Sequence, residues 1–156
     1  MPNLKEGDPA PDFNLPSTEG RDIRLSEFQG KKNVVIYFYP KDNTPGCTQE
    51  ACDFRDSLKN FDRKDTVVLG VSGDSLKAHE NFRKQYKLPF PLLSDEGKKM
   101  LQQYGVWKEK SMYGKTFMGI ERTTVVIDKA GKVRKVFPKV KVAGHTQEVL
   151  ETLERL

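Results

Sequence analysis

The run Val34-Val-Ile-Tyr-Phe-Tyr39, closed by Pro40, constrains the fold more than any other stretch. An unbroken series of β-branched and aromatic residues reads as a central strand buried on both faces. Thr66-Val-Val-Leu-Gly-Val-Ser72 is a second run of the same kind. Between the two runs, Ala51, Phe54, Leu58 and Phe61 recur at helical spacing. That helix is predicted to begin near Thr44 or Pro45, with Thr44 as N-cap and Pro45 at the first helical position. Strand, helix and strand in this order form a βαβ unit with parallel pairing.

The rest of the chain adds layers to that unit. Gly7 to Phe13 is predicted to be extended, because residues before proline avoid the helical region. Ile23 to Leu25 alternates as a short strand, and Ser26 to Phe28 suits one helical turn closed by Gly30. Leu76 to Tyr86 reads as a helix that Leu88-Pro-Phe-Pro91 breaks, and Gly97 to Tyr104 as a short helix. Thr123 to Ile127 and Val133 to Phe137 flank a glycine-containing loop and read as a hairpin. Thr146 to Leu156 is a terminal helix with Val149, Leu150, Leu153 and Leu156 on one face. The expected architecture is α/β, a central mixed β-sheet flanked by helices on both faces. Thioredoxin-like folds share this order, and 156 residues fit one domain over 1–156.

Composition excludes several classes. No run of 18 apolar residues spans a membrane, and the start of the chain lacks the apolar stretch of a secretory signal. A cytoplasmic, reducing setting is expected, where two nearby cysteines are catalytic or metal-binding more often than structural. The net charge is +5. Lys129, Lys132, Arg134, Lys135, Lys139 and Lys141 follow one another with no acidic residue between them. That stretch is read as a solvated strand face and loop, so nucleic acid is not an expected partner.

The chemistry concentrates in Tyr39-Pro-Lys-Asp-Asn-Thr-Pro-Gly-Cys-Thr-Gln-Glu-Ala-Cys52. Cys47 falls in the first turn of a helix, where free backbone N–H groups and the positive dipole end favour an anion. A thiolate there is stabilised and its pKa is expected to fall. Thr44 can offer a hydroxyl toward the sulfur, and Gly46 allows close approach to the backbone. A thiolate that attacks a peroxide oxygen leaves charge on the departing oxygen, which hydrogen-bond donors then stabilise. The sulfenic acid formed can condense with a second thiol. In an intact helix Cys52 would sit roughly 8.7 Å from Cys47 and about 140° around the axis. A disulfide needs Cα atoms within roughly 7 Å, so bridging requires local unwinding. Each cysteine also has a plainer reading, as a small buried apolar residue. A zinc site would need four ligands, and neither His79 nor His145 has ligand spacing.

These residues bring the chain close to a known family. It resembles the peroxiredoxins, and within them the bacterioferritin-comigratory-protein type, also called Q-type. The resemblance rests on Pro-x-x-x-Thr-x-x-Cys, present as Pro40, Thr44 and Cys47, inside the longer run Phe38 to Arg55. Ala10-Pro-Asp-Phe13, Tyr104-Gly-Val-Trp107 and Gly119 to Asp128 support it. The resemblance implies a thioredoxin-like fold and reduction of hydrogen peroxide and organic hydroperoxides. It places Cys47 at the peroxidatic position, Cys52 at the resolving position and Arg122 at the active-site arginine. Thioredoxin or a related dithiol protein is the implied reductant, and no flavin, haem or metal is implied. Arg122 precedes the apolar strand Thr123–Ile127, from whose end a guanidinium can reach toward Cys47, and Glu50 can orient it by an ion pair.

His145 is read as a solvent-facing cap residue. Trp107 and the Tyr37–Phe38–Tyr39 aromatics are read as core or pocket wall. A monomer, at most a weak dimer, is expected because no distant resolving cysteine exists. Two other functions remain. A thiol–disulfide oxidoreductase normally has two residues between its cysteines, unlike the spacing here. A redox-linked binding protein would act through the basic stretch at Lys129–Lys141.

Overall fold

The computed structural model describes residues 4–156. The start of the chain, read from sequence as lacking a secretory signal, includes residues 1–3 and so lies partly outside them. The strands are β1 (Asn14–Pro16), β2 (Asp22–Arg24), β3 (Asn33–Phe38), β4 (Thr66–Ser72), β5 (Leu92–Ser94), β6 (Trp107–Met112), β7 (Lys115–Ile120), β8 (Thr123–Ile127) and β9 (Val133–Phe137). The helices are α1 (Pro45–Asp56), α2 (Leu58–Asp62), α3 (Leu76–Tyr86), α4 (Lys99–Gln103) and α5 (His145–Glu154). A 3-10 turn covers Leu25–Phe28.

Five strands form the central sheet in the order β5-β4-β3-β8-β9. β3 pairs parallel with β4 and β4 parallel with β5, while β8 runs antiparallel to both β3 and β9. The sheet is therefore mixed, with β3 at its centre. Because side chains alternate along a strand, β3 sends Val34, Ile36 and Phe38 into one core and Val35 and Tyr37 into the other. Residues of α1, α2, α3 and α5 fill the second core, including Ala51, Phe54, Phe61, Phe82 and Val149. The first is closed by α4, through Met100 and Leu101, together with Phe13, Ile23 and Leu25 from the N-terminal segment. No helix among the described residues is long and apolar enough to cross a membrane.

Several features depart from the sequence reading, β1 among them. The helix expected through Phe61 breaks at Ser57, so α1 and α2 are separate. β5 follows directly after the proline-flanked Leu88 to Pro91 segment, and three residues are too few to show a period. The β6–β7 hairpin was not anticipated. Most of its side chains are exposed on both faces, which removes the alternation that marks a strand. Tyr113 and Gly114 turn it, both with positive φ, as a two-residue hairpin turn requires.

Strand register brings two distant segments together. Phe38 at the end of β3 lies opposite Thr123 at the start of β8. The chain therefore leaves β3 toward Cys47, and enters β8 from Arg122, at one and the same end of the sheet.

Gly70 in β4 shows how tightly the second core is filled. A Cβ there would lie 2.8 Å from Leu92 Cδ2 and 2.9 Å from both Cζ and Oη of Tyr37. Gly70→Ala should therefore destabilise the chain by about 1–3 kcal/mol through overpacking. Urea denaturation checks this, and an unchanged midpoint would show that Tyr37 has room to move.

Candidate active site

α1 starts where the sequence places it. Thr44 is extended (φ −89°, ψ 153°), Pro45 occupies the first helical position, and the first intrahelical bond runs from Thr48 N–H to the Thr44 carbonyl at 2.8 Å. Cys47 is thus the third helical residue. Its backbone N–H belongs to the group that an α-helix leaves without an internal partner. The side chain turns inward and is 1% exposed. Cys52 is partly buried, and the two cysteines are unbridged.

Arg122 joins this helix to the sheet. Its Nη2 donates to Cys47 Sγ at 3.3 Å and its Nη1 to Glu50 Oε1 at 2.6 Å. Glu50 lies one turn after Cys47 on the same flank of α1, so the two reach one guanidinium together. The Arg122 backbone is fixed by its carbonyl, which accepts from Val140 N–H at 2.9 Å. Gly46 makes the approach possible, since a Cβ there would lie 3.2 Å from Arg122 Nη2.

Burial governs the electrostatics. It pushes the Glu50 carboxyl from an ordinary 4.5 up to about 7, although Arg122 pulls it back. Its Oε2 is buried with no hydrogen-bond partner among the described residues, so only half of the carboxylate is compensated. Burial also works against the charge of Arg122, but Glu50 and the Cys47 sulfur outweigh it and raise its pKa. The guanidinium remains charged beside the sulfur.

Thr44 holds the N-cap position, but its side chain makes no capping bond; Oγ1 instead donates to the Lys41 carbonyl at 2.8 Å. Its proton is therefore directed back along the loop and not at the sulfur. Such a local side-chain to backbone bond competes readily with capping. Pro40 is exposed at the end of β3 and lines a hollow with Trp107 and Ile120. Cys47, Glu50 and Arg122 are brought into contact, with Thr44 and Pro40 on the segment leading in. Cys52 lies further along α1.

His145 departs from its expected place. It is 2% exposed, pairs through Nε2 with Thr124 Oγ1 at 2.7 Å, and lies edge-on to Phe54 and Phe137. It is a core residue because α5 packs its first turn against α1 and β8, and burial lowers its pKa. The sequence reading weighed His79 only as a metal ligand and gave Asp42 no role, yet the two form a buried pair that anchors the Pro40–Thr44 segment to α3. Their separation of 37 positions in the chain gives no local pattern to read.

A folded chain that keeps Glu50 protonated at a pH where the unfolded chain has released that proton gains stability from it. The gain is full below about pH 4.5 and is lost as the pH rises to about 7. Wild type should therefore lose stability relative to Glu50→Gln across that interval, by about 1–3 kcal/mol. Urea denaturation at a series of pH values measures this. A constant difference would mean that Glu50 stays ionised throughout.

Comparison with known proteins gives the family. Residues 6–136 match the AhpC/TSA family. A putative peroxiredoxin bcp of Coxiella burnetii is 50% identical over 151 residues, covering 97% of this chain and 99% of that protein. Peroxiredoxin Bcp of Bacillus subtilis is 49% identical over 151 residues, covering 97% and 96%. Among solved structures, Xanthomonas campestris bacterioferritin comigratory protein, in a study of its alkyl peroxide reduction activity, superposes with a TM-score of 0.89 at 42% identity, covering 97% of this chain and 96% of that chain. With its thioredoxin-like sheet, and with similarity running over nearly all its length, the chain belongs to the AhpC/TSA family, among the peroxiredoxins of the bacterioferritin-comigratory-protein type.

Proposed function

We propose that the protein reduces hydrogen peroxide and organic hydroperoxides through Cys47, with Cys52 as resolving thiol and thioredoxin or a related dithiol protein as reductant. One observation carries the reading: Arg122 Nη2 stands 3.3 Å from Cys47 Sγ at the start of a helix. A permanent cation beside the sulfur, in the first turn of a helix, can stabilise charge that develops there during attack on a peroxide. The Cys47 thiolate attacks one peroxide oxygen and the O–O bond breaks. The sulfur becomes a sulfenic acid, and the other oxygen leaves as an alkoxide or hydroxide that takes up a proton. Arg122 is placed to stabilise the charge that appears on that leaving oxygen. Thr44 and Pro40 shape the segment that brings Cys47 to the guanidinium. The alkyl peroxide reduction activity described for the Xanthomonas campestris relative supports the substrate class.

The Cys52 thiolate then attacks the Cys47 sulfur, the S–O bond breaks, and a disulfide forms as the oxygen leaves as hydroxide and takes up a proton to become water. α1 is whole in this structure, with the two residues five positions apart, so its first turns must unwind for the sulfurs to meet. Because both thiols belong to one helix, turnover needs no second chain, which suits a monomer. The pair then depends on a reducing compartment such as the cytoplasm, where a dithiol protein returns both sulfurs to thiols.

Stopped-flow oxidation of the purified protein, followed by mass mapping of the bridge, tests the scheme. Cys47→Ser should abolish peroxide consumption. Cys52→Ser should be oxidised once and fail to recycle; normal recycling would assign resolution to another thiol. Arg122→Ala should slow the peroxide step by about 10²–10³-fold, as loss of a transition-state donor does.

A further inference from the structure

We propose that Asp42 and His79 form a clasp that holds the Pro40–Thr44 segment in place while the first turns of α1 unwind. They are then positioning residues for Cys47. The inference rests on the peroxidase reading and concerns how the protein divides its time between peroxide attack and disulfide closure.

The clasp is a closed set of short hydrogen bonds. Tyr39 Oη donates to Asp42 Oδ1 at 2.6 Å, and His79 Nδ1 lies 2.6 Å from Asp42 Oδ2. His79 Nε2 lies 2.9 Å from the Leu93 carbonyl. A carbonyl only accepts, so Nε2 carries a hydrogen. Two lone pairs do not face each other at 2.6 Å, so a second proton lies between Nδ1 and Oδ2. Both carboxylate oxygens of Asp42 and both ring nitrogens of His79 are thereby used. The backbone N–H of Asp42 donates to Asp74 Oδ2 at 2.8 Å, which also accepts from Ser72 Oγ at 2.7 Å. Asp42, Asp74 and His79 stand close enough together to resemble a metal set. The groups already satisfy one another by hydrogen bonds, which marks the cluster as a structural joint.

Its position gives it a task. Asp42 is tied to Tyr39 just beyond β3, to His79 of α3 and to Asp74 in the loop after β4, and His79 in turn bonds to Leu93 of β5; the participating side chains of Tyr39 and His79 are fully buried. Replacing a buried polar pair with apolar residues often costs no stability, so such pairs serve geometry better than they serve stability. The next residue, Asn43, has φ 61°, an uncommon conformation for a side-chain-bearing residue. At the other end, Ser57 separates α1 from α2. Cys47 and Cys52 both lie between these two points. With Asp42 held and Asn43 as pivot, the bending that joins the sulfurs is confined to α1. Thr44 and Pro40 keep their places, and the site re-forms after each reduction. Without the clasp, the loop would drift with the helix. Cys47 would meet peroxide less often in register with Arg122, and would reach Cys52 more easily.

The test reads two rate constants on the full-length protein by stopped flow: oxidation of Cys47 by hydrogen peroxide, and closure of the disulfide. In Asp42→Ala and in His79→Gln, oxidation should slow by about tenfold to a hundredfold, the scale of small misplacements at a reacting centre. Closure should become faster, and less Cys47 should reach sulfinic acid at high peroxide, because the sulfenic acid is shorter-lived. Asp42→Asn should recover most of the oxidation rate, since its oxygen can accept from Tyr39 and its amide can donate to a neutral His79. Variants that lose thermal stability but keep both wild-type rate constants would overturn the clasp. A second measurement needs no variant. Amide exchange in reduced and oxidised wild type should show the Asp42 N–H protected in both, and Thr48 to Cys52 protected only in the reduced form. Loss of protection at Asp42 on oxidation would overturn the proposal even if Asp42→Ala does not fold. A wild type inert to hydroperoxides would instead remove the peroxidase reading, and the clasp with it.

Discussion

Everything at the site depends on one guanidinium held between a carboxylate and a sulfur. Arg122 spans Glu50 and Cys47, two residues of α1, from the start of β8. The arrangement lies in a partly closed environment where charges screen one another poorly, so each group sets the condition of the other two. A neutral Glu50 leaves the whole positive charge for the sulfur. An ionised Glu50 draws the guanidinium toward itself and lessens its hold on the sulfur. The carboxylate is therefore both the brace of Arg122 and a competitor for it, and its unpaired Oε2 records that tension.

The sheet is what allows the three to meet. β3 ends beside the point where β8 begins, because the two strands are antiparallel and paired from Val34↔Ile127 to Phe38↔Thr123. Sequence separation between Cys47 and Arg122 is 75 positions, yet the register removes that distance in one step. The same geometry explains why Gly46 is small. The guanidinium approaches over the backbone of the helix start, and any side chain there would compete for its space.

Much of this was legible from the residues alone, and the remainder has physical reasons for being hidden. The buried runs that became β3 and β4, the helix start at Thr44–Pro45 and the β8–β9 hairpin all carry local signals, since burial on both faces, capping and turn chemistry act over a few residues. The placement of Cys47 in the first turn of α1 came from the same local reading. Arg122 did not: among many basic side chains nothing local marks the one that turns inward, and only the family resemblance selected it. His145 and His79 were misjudged or passed over because tertiary packing, not sequence spacing, buried them. β5 was too short and β6–β7 too exposed to carry a period. Thr44 shows a finer limit, since the capping position was readable and the direction of its hydroxyl was not.

The β6–β7 hairpin stands apart from the central sheet. Among the described residues its two strands pair only with each other, and Tyr113 at its tip is 97% exposed. No ladder bond of the central sheet passes through it, so residues can be gained, lost or exchanged at that tip with little strain transmitted inward. Insertions or exchanges at the tip should therefore leave the Cys47 end of the sheet in place. For the same reason it offers a natural point for attaching a label or an affinity handle without touching the central sheet.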